Sequence, residues 1–262
     1  RIYRDRYKRM EAMSRPKISG VRPVVSSSNA SDAVKGIENQ IIINQSTAQS
    51  VLSQPLDSTK EYLIDGFVDL TGTGLNFKVP SGGLSYRGLN FDVSFIVCSD
   101  NDYIMFESVA GGSANVLGID CAVSVIGSNS KVYDIFDITG FNAFEFTRVN
   151  YINCTSLGRI SGYRQGLEVG TGRFGGTPTL ELDGNWVGGY RFDISVAGNL
   201  DSGFAGPLFK AGPTFLMNSR FVCNMNMNIP TGAQVLDFSP SNFANPNTLL
   251  LEDMRVTRDG VI

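Results

Sequence analysis

From Glu61 onward the chain runs in short stretches where large apolar residues alternate with polar ones, separated by Gly, Asn, Ser and Asp. Period-two alternation over so few residues is the signature of half-buried strands. The stretches also recur. Leu89, Ile119 and Val149 stand 30 residues apart, as do Asn90, Asp120 and Asn150, and Phe91, Cys121 and Tyr151, while Val93 and Val123 extend the set. A second series pairs a large apolar residue with a polar one: Phe106-Glu107, Phe136-Asp137, Leu167-Glu168, Phe209-Lys210 and Phe238-Ser239, at spacings of 30, 31, 42 and 29. A Gly- or Pro-containing turn and a further strand pattern follow each. The long interval reads as an insertion of roughly a dozen residues near 184–206.

Recurrence of this kind predicts a solenoid. Coils stack about 4.8 Å apart, and equivalent apolar positions become interior columns. The expected class is all-β, a right-handed parallel β-helix with coils of about 30 residues, behind a short helical or extended N-terminal arm. An antiparallel sandwich of similar composition is the rival, but it does not need positions to recur through three turns.

Before residue 61 the texture differs. Residues 1–13 are helix formers with Tyr3, Tyr7 and Met10 on one stripe, and Arg15-Pro16 ends them. A linker containing Pro and Ser follows. Residues 35–52 fit a short helix with Ile37, Ile41, Ala48 and Leu52 on one side, yet the three isoleucines at 41–43 suit a strand equally. The expected division is a basic docking arm over 1–25, a linker and lead-in segment over 26–60, and a β-helix body over 61–262 that continues beyond residue 262.

Charge sharpens this division. Residues 1–25 hold eight basic residues (Arg1, Arg4, Arg6, Lys8, Arg9, Arg15, Lys17 and Arg22) against Asp5 and Glu11. The remainder holds 14 basic against 23 acidic residues, a net of −9. Such asymmetry points to an arm, led by Arg1, Arg4, Arg6, Lys8 and Arg9, that docks onto an acidic surface. Nucleic acid is the alternative occupant, with Tyr3 and Tyr7 interleaved among the arginines, but no reading module accompanies it. Histidine is absent, which removes Ser-His-Asp and Cys-His catalysis and His-ligated zinc. Cys98, Cys121, Cys154 and Cys223 stand singly among apolar residues, the pattern of small buried hydrophobes in a reducing compartment. No run of 18 apolar residues occurs, so no membrane insertion is expected. No metal or cofactor is expected.

The second series supplies the candidate chemistry. If Glu107, Asp137 and Glu168 follow equivalent apolar residues, they stack on one outward row, with Lys210 next. Carboxylates about 5 Å apart match a retaining glycosidase pair, with one pKa raised by its neighbour. A calcium site and a solvated surface row are the other readings. Asn90, Asp120 and Asn150 read as a stacked corner ladder of polar side chains. The glycines of 170–176 precede no helix, so they read as turns and not as a phosphate loop. Trp186, with Tyr190 and Tyr163, fits either core packing or stacking on a sugar ring.

A basic arm, a linker, the lead-in segments Glu61-Tyr62-Leu63-Ile64-Asp65-Gly66 and Val79-Pro80-Ser81-Gly82-Gly83-Leu84, and Gly/Asn-rich coils together resemble the tail-spike and tail-fibre proteins of bacteriophages. The segment Asn150-Tyr151-Ile152-Asn153-Cys154-Thr155-Ser156-Leu157-Gly158 looks like one of their coils. The likeness covers roughly residues 60–262 and is one of texture, without a site motif. It implies a homotrimer in the virion tail, exposed on the outside of the particle. The arm would dock to other tail proteins, and the shaft would meet a host receptor or surface polysaccharide. Two alternatives remain: a polysaccharide depolymerase of the same shape working through acidic residues, and a bacterial adhesin or autotransporter passenger.

Overall fold

Each alternating run becomes a strand that must bury one face, and no single coil can do so alone. The computed structural model describes residues 39–170, 174–194, 200–245 and 249–258. The arm residues Arg1, Arg4, Arg6, Lys8 and Arg9 lie outside them. From Gln40 the chain is one compact unit. It winds through three parallel sheets in turn and returns to the first, a parallel β-solenoid. The largest face has nine strands: Gln40–Ile43, Glu61–Ile64, Leu84–Gly88, Val116–Ile119, Ala143–Thr147, Gln165–Gly170, Gly189–Ile194, Phe221–Ile229 and Leu249–Arg258. The second has five: Phe67–Asp69, Phe95–Cys98, Ala122–Val125, Asn150–Cys154 and Phe174–Gly176. The third has seven: Phe77–Val79, Ile104–Ser108, Lys131–Phe136, Gly158–Ser161, Leu180–Asp183, Phe209–Ala211 and Leu236–Asp237. A two-stranded ladder, Asn185–Trp186 with Leu216–Met217, joins two later corners.

Parallel pairing aligns residues of successive coils into columns. One interior column of the nine-stranded face runs Ile41, Tyr62, Tyr86, Gly118, Phe146, Glu168, Phe192 and Cys223. Rings stack both along a face and across the interior between faces. Tyr86 and Phe106 have centroids 4.8 Å apart, Phe106 and Tyr133 5.4 Å, and Tyr133 and Phe146 4.9 Å. Each such pair adds about 0.5–1.5 kcal/mol beyond its buried area. The rings need room, and glycine provides it. A Cβ on Gly118 would lie 2.5 Å from the Tyr86 ring, and one on Gly166 would lie 2.3 Å from the Phe144 ring and 2.6 Å from that of Tyr190.

The start of the body takes both shapes expected of residues 35–52. Gln40–Ile43 is a strand paired with Glu61–Ile64, and Ala48–Leu52 is a short helix. Ala48, Leu52 and Leu56 join the apolar interior beside Ile43. The four cysteines are free and buried, as small hydrophobes would be, and burial pushes the thiols of Cys98 to about 11 and of Cys154 and Cys223 to about 12. No helix among the described residues is long and apolar enough to cross a membrane.

Three expectations of detail fail, the first two because the coils are unequal. Register partners Leu84, Val116 and Phe144 are separated by 32 and then 28 residues, so the 30-residue period is the mean of two different coils. Leu89, Ile119 and Val149 therefore form no column. Leu89 lies past its strand and is 60% exposed, Ile119 faces outward beside Arg87 and Thr147, and Val149 is 3% exposed. The ladder of Asn90, Asp120 and Asn150 is likewise not formed. Asn90 accepts from the amide of Asp92 at 2.9 Å, Asp120 is bonded to Arg148, and Asn150 is buried beside Ala122. The apparent insertion near 184–206 also disappears, because Leu167 and Phe209 belong to different faces, and Gly189–Ile194 is an ordinary rung of the nine-stranded one.

These positions give a direct contrast. Leu89→Asp should change stability by less than about 0.5 kcal/mol, whereas Val149→Asp should cost several kcal/mol because it buries an unpaired charge. Gly166→Ala should cost about 1–3 kcal/mol by overpacking against Phe144 and Tyr190. Urea unfolding of the three variants measures all of this.

Candidate functional site

On the seven-stranded face the outward positions carry charge in every coil. The register lines up Lys78, Glu107, Asp134, Arg159, Glu181, Lys210 and Asp237. Signs mostly alternate along the row, and neighbours neutralise one another across coils. Lys78 pairs with Glu107, Arg159 Nε lies 3.5 Å from Asp134 Oδ1, and Lys210 Nζ lies 3.0 Å from Glu181 Oε2. Only Glu107 and Asp134 are adjacent with like sign, and there Lys131 Nζ meets Asp134 Oδ2 at 2.7 Å. Each exposed pair is worth little alone, at most about 1 kcal/mol, so the row is chiefly a surface pattern.

The row passes through a groove of about 410 Å³ lined by Lys131, Asp134, Ser156, Gly158, Arg159, Thr179, Glu181 and Lys210. Two corners between the five- and seven-stranded faces contribute to it through Ser156 and Thr179: those at 155–157 and 177–179, of three residues each, while the flanking corners at 126–130 and 201–208 have five and eight. Gly158 in its lining leaves no room for a side chain: at φ +85° an added Cβ would lie 1.9 Å from the Tyr133 carbonyl oxygen. The lining offers three cations, two carboxylates and the hydroxyls of Ser156 and Thr179, a surface able to donate to and accept from a polar, hydroxyl-rich ligand. Among the described residues no group of three or more His, Cys, Asp or Glu could hold a metal ion.

The three acidic residues singled out from the sequence are not neighbours on one row. Glu107 is on the outward row, held by Lys78 and by Asn76 Nδ2 at 3.2 Å. Asp137 follows the last residue of its strand and is buried at a corner. Its carboxylate accepts from the Thr139 amide at 2.8 Å, the Thr139 hydroxyl at 2.7 Å and the Asn142 amide at 3.0 Å. Burial pushes that carboxyl up, but the hydrogen bonds from Thr139 and Asn142 outweigh it and hold the carboxyl below its ordinary value. Glu168 points the opposite way, into the interior between Phe146 and Phe192 of the neighbouring coils. It receives hydrogen bonds from the hydroxyls of Tyr151 and Tyr190, each at 2.9 Å, and burial pushes its carboxyl up to about 7. The sequence pairing misread parity, since a shift of one residue moves a side chain to the other face of a sheet.

Trp186, Tyr190 and Tyr163 do come together, but inside. All three are buried around Phe144, with ring centroids 5.6–5.7 Å from it, and Trp186 donates its indole N–H to the Asp183 carbonyl at 2.7 Å. They are core, and no sugar can stack on them in this fold. The residues missed by sequence reasoning are Lys78, Asp134, Arg159 and Glu181, while Lys210, expected next on an outward row, does lie on it. Their signal was present, a charge at the outward position of each strand, but reading it requires the true register. No protein family matches the chain, and neither does any curated protein or solved structure.

Asp137→Asn should destabilise the fold by about 1–3 kcal/mol, because an amide cannot satisfy the same donors without presenting its own N–H groups to them. The wild-type carboxyl, held below its unfolded value, contributes stability that is present above that value and is lost as pH falls through the folded one. The variant should therefore show a weaker acid dependence, measurable as unfolding midpoint against pH. Arg159→Glu should place four adjacent carboxylates on the row and cost about 1 kcal/mol at low salt, with part regained in 1 M salt as the Debye length falls to about 3 Å.

Proposed function

We propose that the chain is a structural attachment protein of a virion tail, a spike or fibre whose solenoid projects outward and meets host surface polysaccharide in the charged groove of the seven-stranded face. The observation that carries this reading is the groove itself: paired cations and carboxylates repeated at rung spacing on a rigid scaffold, open to solvent along a charged row. A polymer with regularly repeated hydroxyls can meet such a row at several rungs at once. The remaining parts of the proposal, a homotrimer and docking to other tail proteins through residues 1–25, rest on the resemblance and on the charge of the arm.

A depolymerase is the second reading. Asp134 and Glu181 stand two rungs apart, about 9.6 Å along the stack, close to the carboxylate separation of inverting glycosidases. Arg159 lies between them in the row, and each carboxylate is engaged by a cation, which favours recognition over cleavage.

The test incubates the full chain with capsular polysaccharide or lipopolysaccharide, following both retention and the appearance of reducing ends. Retention without cleavage is expected. Arg159→Ala together with Lys210→Ala should weaken it by about tenfold or more, as loss of hydrogen bonds from charged groups implies, with the unfolding midpoint nearly unchanged. Release of reducing ends that Asp134→Asn abolishes would replace the attachment reading with the enzyme. Retention indifferent to the double variant would remove the groove from the account.

A further inference from the structure

Among the described residues, Glu168 is the acidic side chain that the fold places within an interior column, as distinct from a corner. Asp137 and Asp183 are also buried, but at strand ends, where backbone amides donate to them. Around Glu168 the interior holds a chain of hydroxyls. Tyr190 donates to one carboxyl oxygen and Tyr151 to the other, each at 2.9 Å; Tyr151 shares a hydrogen bond of 3.2 Å with Tyr133, which shares one of 3.2 Å with Tyr86. The chain crosses all three faces, since Tyr133 stands on the seven-stranded face, Tyr151 on the five-stranded face, and the others on the nine-stranded face. All five side chains are buried.

The other groups near it are Phe146 and Phe192 in the same column, and the thiols of Cys121 beside Tyr86 and Cys223 beside Tyr190. Among the described residues no Lys or Arg acts on the carboxyl; what acts on it is burial and the two tyrosine hydroxyls. The hydrogen bonds between tyrosines can run in either direction. With Glu168 ionised, Tyr86, Tyr133 and Tyr151 each donate toward the carboxylate. With Glu168 neutral, its own proton can be given to Tyr151, and the chain reverses toward Tyr86 while Tyr190 still donates to the other oxygen. One proton sets the polarity of a hydrogen-bond chain spanning the interior.

We infer that Glu168, Tyr86, Tyr133, Tyr151 and Tyr190 form a proton-operated lock, whose hydrogen-bond chain joins the three faces in either state, reverses direction with the Glu168 proton, and is weakened by the uncompensated buried charge when Glu168 ionises. The chain contains no histidine, so the side chain that ordinarily senses pH near neutrality is missing, and this carboxyl takes that role. Burial carries Glu168 from its ordinary 4.5 to about 7, while the thiols and tyrosines beside it are pushed further up and stay protonated. The sign follows from linkage. Below the unfolded value both states hold the proton and the lock is at full strength. As pH rises through the folded value that stability is lost, and above it the loss levels off.

Two measurements on the full chain test this. Between about pH 5 and pH 8.5 the unfolding constant in urea should rise on the order of a hundredfold in the wild type and by less than about threefold in Glu168→Gln. The infrared carbonyl band of a protonated carboxylic acid should be present in the folded wild type near pH 6 and disappear as pH is raised past about 8. The infrared titration needs no variant, so it decides the matter even if Glu168→Gln fails to fold. Absence of the band near pH 6, or an equal pH slope in Glu168→Gln, would overturn the lock.

Discussion

The structure depends on one constraint, the parallel backbone ladder between coils. Every paired strand must place its residues level with those of the next coil, about 4.8 Å away, whatever the chain does in between. Corners are free of this requirement. On the nine-stranded face the interval between register partners ranges from 21 residues, Ile41 to Tyr62, to 32, Tyr86 to Gly118. Strands are thus conserved in geometry while corner length varies, and variation in corners shapes the outside without disturbing the inside. The groove lies where two three-residue corners, 155–157 and 177–179, meet the charged row.

The same constraint governs the interior. Side chains in a column sit one above another with no lateral freedom, so their sizes must be matched both along the column and across it. Gly118 lies between Tyr86 and Phe146, and Gly166 between Phe144 and Tyr190, in positions where a methyl group would meet a ring. Glycine within a strand usually weakens it, through lost entropy and a missing contact. Here the space it leaves is filled by the rings of adjacent coils, so the loss in one coil is recovered in its neighbours.

These rules explain what the sequence made legible. Strand alternation and recurrence were enough for the fold class, because parallel stacking repeats apolar positions whether or not the coils are equal. The columns themselves were not legible. A 32-residue coil followed by a 28-residue coil mimics a strict period of 30, which selected Leu89 and Val149, residues just past their strands, as interior neighbours of Ile119. The candidate site failed on parity. Phe106-Glu107 and Leu167-Glu168 look alike as dipeptides, but Phe106 and Glu168 are the inward members, on different faces of the body. Only the backbone register separates those cases. It also reveals the row through Asp134, Arg159 and Glu181, whose spacings of 25 and 22 residues match no period in the sequence.

Charge is the remaining argument, because the solenoid treats it in two opposite ways. Outside, a charge at every rung would repel its neighbours if all had one sign; a row that alternates everywhere but between Glu107 and Asp134, where Lys131 meets Asp134, converts that repulsion into a string of weak pairs. Those pairs contribute little to stability, so they can be exchanged for contacts with a ligand at small cost. Inside, among the described residues, the Glu168 carboxyl sits without a cation and is held by tyrosine hydroxyls. A buried group held in that way contributes less through its average energy than through its demand for one arrangement of partners on three faces. The outer row can yield to a ligand because its bonds are exposed and replaceable, while the inner chain fixes how the faces meet because its bonds have no substitute. Recognition and rigidity are thereby assigned to opposite sides of the same wall.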